Sequence, residues 1–161
     1  MENPDLTASM STPEETRQRI RKMAVAIEKE VEEGVPLSPV DERLLAMRER
    51  LIEDVLLTTE TQLDLNIIKR VEIIHAQSAF EIKNFKDLTA GLLKPLGGQA
   101  NKLDKQLEEL RKDSLRTLKG KAFEVSANAV VGINVDLSTI TIGQISMMMM
   151  MASGTAVIIQ E

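Results

Sequence analysis

The sequence of 161 residues lacks cysteine, tryptophan and tyrosine, and it has one histidine and three phenylalanines. The absence of cysteine excludes disulfides, thiolate nucleophiles, iron–sulfur clusters and thiolate zinc sites. A single histidine leaves at most one imidazole base and excludes two-histidine metal motifs. So few aromatic side chains argue against recognition of nucleic acid by base stacking. We therefore expect a protein that is not an enzyme, does not bind nucleic acid and needs no cofactor.

Concentrated positive charge and long apolar runs are also missing. The net charge of −5 is uneven, since residues 1–66 carry −7 and residues 67–161 carry +2, without a basic stripe for phosphate backbones. The longest apolar stretch, residues 145–159, is interrupted by polar residues and is shorter than the roughly 18–20 residues of a membrane-spanning helix. Because the first residues show no signal-peptide pattern, we expect a cytoplasmic protein without a membrane partner.

The sequence before residue 57 predicts a disordered segment over residues 1–10 and a helical hairpin over residues 11–56. Thr12 precedes Pro13, and Ser38 precedes Pro39, which is the pattern of a capped helix start with proline at the first position. Apolar stripes follow each start: Ile20, Met23, Ala24, Ile27 and Val31, then Leu44, Leu45, Met47, Leu51, Ile52, Val55 and Leu56. Neither helix can bury its stripe alone, so both must pack on the rest of the protein, on each other or on a neighbouring subunit.

Residues 57–161 predict an α+β domain. Residues 58–61 favour a strand, and residues 67–82 indicate either one bulged strand or two short ones. A short helix is predicted over residues 84–96 and a long one over residues 100–125, with a stripe ending in Ser114, Leu118 and Ala122. Two strands, over residues 129–137 and 146–160, complete the domain.

The last strand assigns its own two faces, because side chains alternate along a strand. Its even positions include Ala152, Gly154 and Ala156, which are small enough for the long helix to lie close. The odd positions are also largely apolar, whereas a single antiparallel layer normally turns a polar face to water. We therefore predict an interface with another copy of the chain. Its predicted residues are Met147, Met149, Met151 and Val157.

Several segments resemble the YbjQ-like family, which carries a heavy-metal-binding label and is found in bacteria. They are residues 57–60 (LTTE), 90–98 (AGLLKPLGG), 128–132 (NAVVG) and 146–157 (SMMMMMASGTAV). The resemblance extends over about residues 55–160. It implies a dodecin-subunit-like β-α-β-β domain assembled as a pentameric ring, and the N-terminal hairpin is an addition to that domain.

Candidate site residues are few. Met147, Met149 and Met151 share a strand face and could hold a soft ion such as copper(I), and His75 could be a ligand; the alternatives are core or interface packing and an ordinary strand histidine. Asn128 and Asp136 could meet a ligand at strand ends, although Asn128 also suits a chain turn. The leading hypothesis is a non-enzymatic homo-oligomer with the hairpin as an interaction arm. The alternative is a protein that binds a small ligand or soft metal in the ring cavity or on the Met-rich strand.

Overall fold

A computed structural model of the protein describes residues 12–60, 64–82, 100–143 and 145–160, with only the backbone of residues 100–102. The chain divides into two compact units, the first ending at Asp54 and the second beginning at Val55. The first unit holds two helices, and the second holds a long helix and a four-stranded sheet. This is an α+β protein whose N-terminal helices precede the β domain. The predicted disorder over residues 1–10 and the predicted helix over residues 84–96 lie outside the described residues.

Both N-terminal helices begin where the sequence predicts. The helices are α1, Pro13–Glu32, and α2, Pro39–Glu53. Thr12 caps α1 in a reciprocal box with Glu15, and Ser38 caps α2 with Asp41. Each box supplies partners to backbone N–H groups that a helix start leaves unpaired. The hydrogen bonds with Ser38 also hold the pKa of the Asp41 carboxyl below its usual value.

The two helices pack on each other, and only part of each apolar stripe is buried. Arg48 Nη1 of α2 donates to Glu28 Oε1 of α1 at 2.9 Å, and this ion pair joins the two helices. Buried apolar positions of the unit are Ile20, Ala24, Ile27 and Ile52. Within the two helices, three members of the predicted stripes remain exposed, namely Met23, Val31 and Met47. The hairpin therefore keeps apolar side chains at its surface.

The predicted second stripe extends too far along the chain. α2 ends at Glu53, with Asp54 as its C-cap. Val55 is buried in the core of the second unit, and Leu56 begins a strand. The apolar spacing continues past the helix because a new element with its own buried face starts at once.

The second unit is built on a sheet with strand order β1-β3-β4-β2. Its elements in chain order are β1, Leu56–Leu57; β2, Ile67–Ile82; α3, Ala100–Glu124; β3, Ala129–Ile142; and β4, Ile145–Ile159. β4 lies between β3 and β2 and is antiparallel to both, while β1 runs parallel to β3. The strand predicted over residues 58–61 begins earlier, at Leu56, and backbone hydrogen bonds of Thr58 and Glu60 with β3 continue its pairing.

Two strands differ from the predictions: β2 is one continuous strand, and β3 is longer than predicted. β2 is a single strand with irregular register between Ile67 and Lys69 and between Arg70 and Glu72, which is the bulged alternative. β3 continues past Leu137 to Ile142, which pairs with Ile145 at the start of β4. Gly143 has a φ of 61°, which glycine adopts without steric cost.

α3 covers one face of the sheet, as the alternation predicts. Leu118 and Ala122 pack in one core cluster with Ala152 and Ala156, and Leu110 packs in a second cluster with Met148 and Met150. Gly154 is small for a different reason than expected. A Cβ there would lie 2.6 Å from Val130 Cγ1 and 3.1 Å from Ile133 Cγ1, so the side chains of β3, and not the helix, need the space.

The candidate functional site

The candidate site is the face of the sheet that points away from α3, here called the helix-free face. Opposed residues on antiparallel strands share a face, so the pairing register identifies its members. One row across β2, β4 and β3 is His75, Ser153 and Asn134, and the next is Gln77, Met151 and Asp136. The remaining members are Ile73, Ala79 and Glu81 of β2, Ile145, Met147, Met149 and Thr155 of β4, and Val131, Ser138, Ile140 and Ile142 of β3.

The helix-free face exposes apolar side chains. Ile73 is 79% exposed and Met151 is 38% exposed, whereas Met147 and Met149 are half-buried. Met150, next to Met151 in sequence, is buried under α3. The predicted split of the five methionines between two faces is therefore the one that the structure has.

The proposed metal ligands lie at different positions along the strands of this face. His75 is exposed and opposes Ser153, so it is a diagonal neighbour of Met151, within reach of a long side chain. Met147 opposes Glu81, six residues along β2 from His75, which is about 20 Å at the rise of a strand. The structure thus brings His75 near Met151 and separates it from Met147.

Val157 has a different environment from the three methionines. Like the three methionines, Val157 is an odd-numbered residue of β4, and it opposes Ala129 of β3. Its side chain is nevertheless fully buried. The exposed part of the helix-free face therefore ends before it.

The side-chain amide of Asn128 forms hydrogen bonds with backbone groups. Its Nδ2 donates to the carbonyl of Ile159 at 2.8 Å, and its Oδ1 accepts from the N–H of Ile159 at 2.8 Å. This paired contact joins the start of β3 to the end of β4. Asp136 lies mid-strand on the helix-free face and accepts a hydrogen bond from Asn134 Nδ2. Asn134 and Ser138 are not among the residues that the sequence predicts for the site, and the pairing of β3 with β4 beyond the bulge at Gly132 places them on the same face as Asp136.

The described residues hold no group of three or more histidines and carboxylates close enough to bind a metal ion. In the same part of the chain, no helix combines the length and apolar character needed to cross a membrane. Residues 55–160 match the sequence model of a family described as "YbjQ, Putative heavy-metal-binding". The chain belongs to the YbjQ family.

Relatives of this YbjQ chain match it over most of their own length. A UPF0145 protein from Carboxydothermus hydrogenoformans is 35% identical over 107 residues, which are 66% of this chain and 97% of the relative. A UPF0145 protein from Clostridium kluyveri is 34% identical over 88 residues, 55% of this chain and 82% of the relative. A crystal structure of a DUF74-family protein of unknown function from Pediococcus pentosaceus is 13% identical, with a TM-score of 0.49, over 66% of this chain and 98% of the other.

Proposed function

We propose that this YbjQ-family chain is a non-enzymatic homo-oligomeric module whose helix-free face turns toward neighbouring copies. The observations that carry the proposal are apolar side chains on that face: Ile73 is 79% exposed, Met151 is 38% exposed, and Met147 and Met149 continue the same side of β4. A sheet layer with one covered face normally presents polar side chains on the other. A contiguous exposed apolar patch is typical of an interaction surface.

The expected assembly is a pentameric ring of dodecin-like subunits, as the family resemblance implies. In such a ring every copy uses the same two different surfaces, so the contacts close on themselves. The outer side of α3 carries Lys105, Glu108 and Lys112, which suit solvent. The helix-free face is therefore the side turned inward.

Native mass spectrometry of the full chain tests the proposal, and five chains are expected at micromolar concentration. Met149→Lys should weaken assembly, because a charge without a partner in a desolvated surface is strongly unfavourable. Thr117→Lys, at an exposed position of α3, is the matched control and should assemble as the original chain does. A stable monomer, or normal assembly of Met149→Lys, would contradict the proposal.

The N-terminal hairpin is proposed as an interaction arm for a protein partner or a neighbouring subunit. Its surface retains exposed Met23, Val25, Val40 and Met47. The family model matches residues 55–160, which follow this hairpin in the chain. Deleting residues 1–54 should leave a soluble oligomer of the same chain number. Aggregation or loss of assembly would show instead that the hairpin is an integral layer of the β domain.

The second candidate function is the binding of a soft metal ion or small ligand in the ring cavity or on the Met-rich strand. The observation that favours it is the shared face of three thioethers, Met147, Met149 and Met151. A ring would also bring copies of His75 together. Copper(I) titration against a competing chelator should then show uptake that is lost when all three methionines become leucine. Zinc uptake that survives dialysis would point to a different site.

A further inference from the structure

The sheet of the second unit has two long edges that no strand covers among the described residues. β2 forms one edge along its whole length. β1 covers only the start of β3, at Ala129 and Val130, and backbone bonds from residues 58 and 60 extend this cover to Ile133. Residues 134–142 of β3 are therefore a second edge.

The central segments of both edges, residues 73–80 of β2 and 134–142 of β3, have few of the devices that usually prevent pairing with another chain, and the bulges of both strands lie outside these segments. Exposed edge strands are normally protected by lysine, proline, bulges or inward charges. Residues 73–80 of β2 contain no lysine, arginine, acidic residue or proline, and Asp136 is the only charged residue in 134–142. On the second edge Leu137 is 50% exposed. The two unprotected segments also lie level in the sheet, since both flank residues 148–153 of β4.

The turn between β3 and β4 determines which backbone groups point outward. A two-residue turn is closed by a hydrogen-bonded pair, here Ile142 with Ile145. Hydrogen-bonded pairs then recur at every second residue, so residues 135, 137, 139 and 141 direct their N–H and C=O groups away from β4. The N–H of Ile133 agrees with this phase, because it points outward and donates to the carbonyl of Thr58 at 3.1 Å.

The same phase continues through β4 to β2. The even residues of β4 bond to the even residues of β2, for example Met150 to Ser78. Residues 73, 75, 77, 79 and 81 therefore direct their backbone groups to the outer edge. Their side chains lie on the helix-free face, whereas the outward residues of β3 have side chains on the helix side.

This difference selects the direction of any pairing between the two edges. In an antiparallel pair, two residues that exchange hydrogen bonds lie directly opposite and have side chains on the same face. Gln77 would then oppose Leu137 or Thr139, and α3 of the second copy would lie on the other side of the joined sheet. In a parallel pair, a residue bonds to the two neighbours of the residue beside it. Gln77 would then lie beside Asp136 or Ser138, and every α3 would stay on the same side.

Resting on the proposed oligomer, we infer that adjacent subunits join by parallel backbone pairing of residues 73–80 of β2 with residues 134–142 of β3 in a second copy of this chain. β2 and β3 are both antiparallel to β4, so they run in the same direction. When two copies are related by rotation about an axis parallel to the strands, their strands run in the same direction and the same face of each sheet points toward the axis. The pairing therefore propagates from copy to copy, and the helix-free faces line the inside.

The absence of cysteine from the chain allows a direct test by disulfide cross-linking. Gln77→Cys is combined in turn with Asp136→Cys or Ser138→Cys on the helix-free face, and with Leu137→Cys or Thr139→Cys on the helix side. Residues on β2 and β3 of one chain are separated by β4 and lie about 10 Å apart, beyond the roughly 7 Å that a disulfide can join. Any disulfide between them therefore links two chains.

Mild oxidation of a helix-free pair should give a ladder of linked chains on a denaturing, non-reducing gel, up to the size of the assembled oligomer. The single-cysteine variants are the controls and should give dimers at most. Ladders from the helix-side pairs instead, or an oligomer that none of the pairs can cross-link, would overturn the inference while leaving the proposed oligomer intact. A monomer by native mass spectrometry would overturn both.

Discussion

Met150 and Met151 are neighbours on β4, yet they lie in opposite environments. Met150 is 7% exposed and packs with Leu110 of α3, whereas Met151 is 38% exposed on the helix-free face. The two side chains are chemically identical, so their burial depends on which element covers each face. Among the described residues of the second unit, α3 covers one face of the sheet and no helix covers the other.

The contrast indicates what each face contributes. The helix-covered face has three small and buried residues, Ala152, Gly154 and Ala156. Such residues suit a fixed and close-packed core. The helix-free face mixes thioethers, Ile73 and polar side chains. We therefore expect substitutions on the first face to alter the stability of the fold and those on the second to alter assembly.

Truncation of the two methionines is expected to give the largest difference. Met150→Ala should lower the free energy of unfolding by about 2–5 kcal/mol, because a buried side chain is lost and a cavity remains. Met151→Ala should change it by less than about 0.5 kcal/mol per folded chain, with the effect appearing in the concentration dependence of assembly. Urea unfolding at matched chain concentrations and native mass spectrometry measure the two effects. Equal losses of folding stability would contradict the contrast between the faces.

Added volume should separate Gly154 from its neighbour Ser153. Gly154→Ala places a methyl group 2.6 Å from Val130 Cγ1 and 3.3 Å from the carbonyl oxygen of Val131. We expect a loss of about 1–3 kcal/mol from overpacking. Ser153→Thr adds one methyl group to the half-buried helix-free side and should cost less. The test compares the unfolding midpoints of the two variants. An unchanged midpoint for Gly154→Ala would mean that Val130 and Ile133 can move apart.

The sequence predicts the regular parts of this fold because they depend on local chemistry. Capping residues and proline place the starts of α1 and α2 at Pro13 and Pro39. The period of α3 and the alternation of β4 assign Leu118 and Ala152 to the same core. These features need no knowledge of distant contacts, since one turn of helix or one pleat of strand determines them.

The features that the sequence missed depend on pairing between strands. The bulge after Val131, with Gly132 at a φ of 61°, moves Ile133 to the helix side and reverses the alternation that follows. A glycine within a strand pattern is the available signal for such a bulge. The position of β1 is set by parallel bonds to β3, such as Thr58 N–H to the carbonyl of Val130 at 3.0 Å, and not by its own short sequence. Asn128 likewise receives its role from a strand 31 residues away.

Two serine hydroxyls provide the smallest test of the same contrast. Ser114 of α3 is fully buried and donates to the carbonyl of Met150 at 3.3 Å, whereas exposed Ser138 of β3 donates to the carbonyl of Met149 at 3.5 Å. Ser114→Ala should cost about 0.5–1.5 kcal/mol, because an internal hydrogen bond is lost where water does not replace it. Ser138→Ala should stay within about 0.5 kcal/mol, since water can take the place of the hydroxyl. Chemical denaturation resolves these values when both variants and the original chain are measured at one concentration. If the loss at Ser138 equalled that at Ser114, the helix-free face would already be shielded from water, as it would be inside an assembled ring, and dilution below the assembly threshold should then restore the difference.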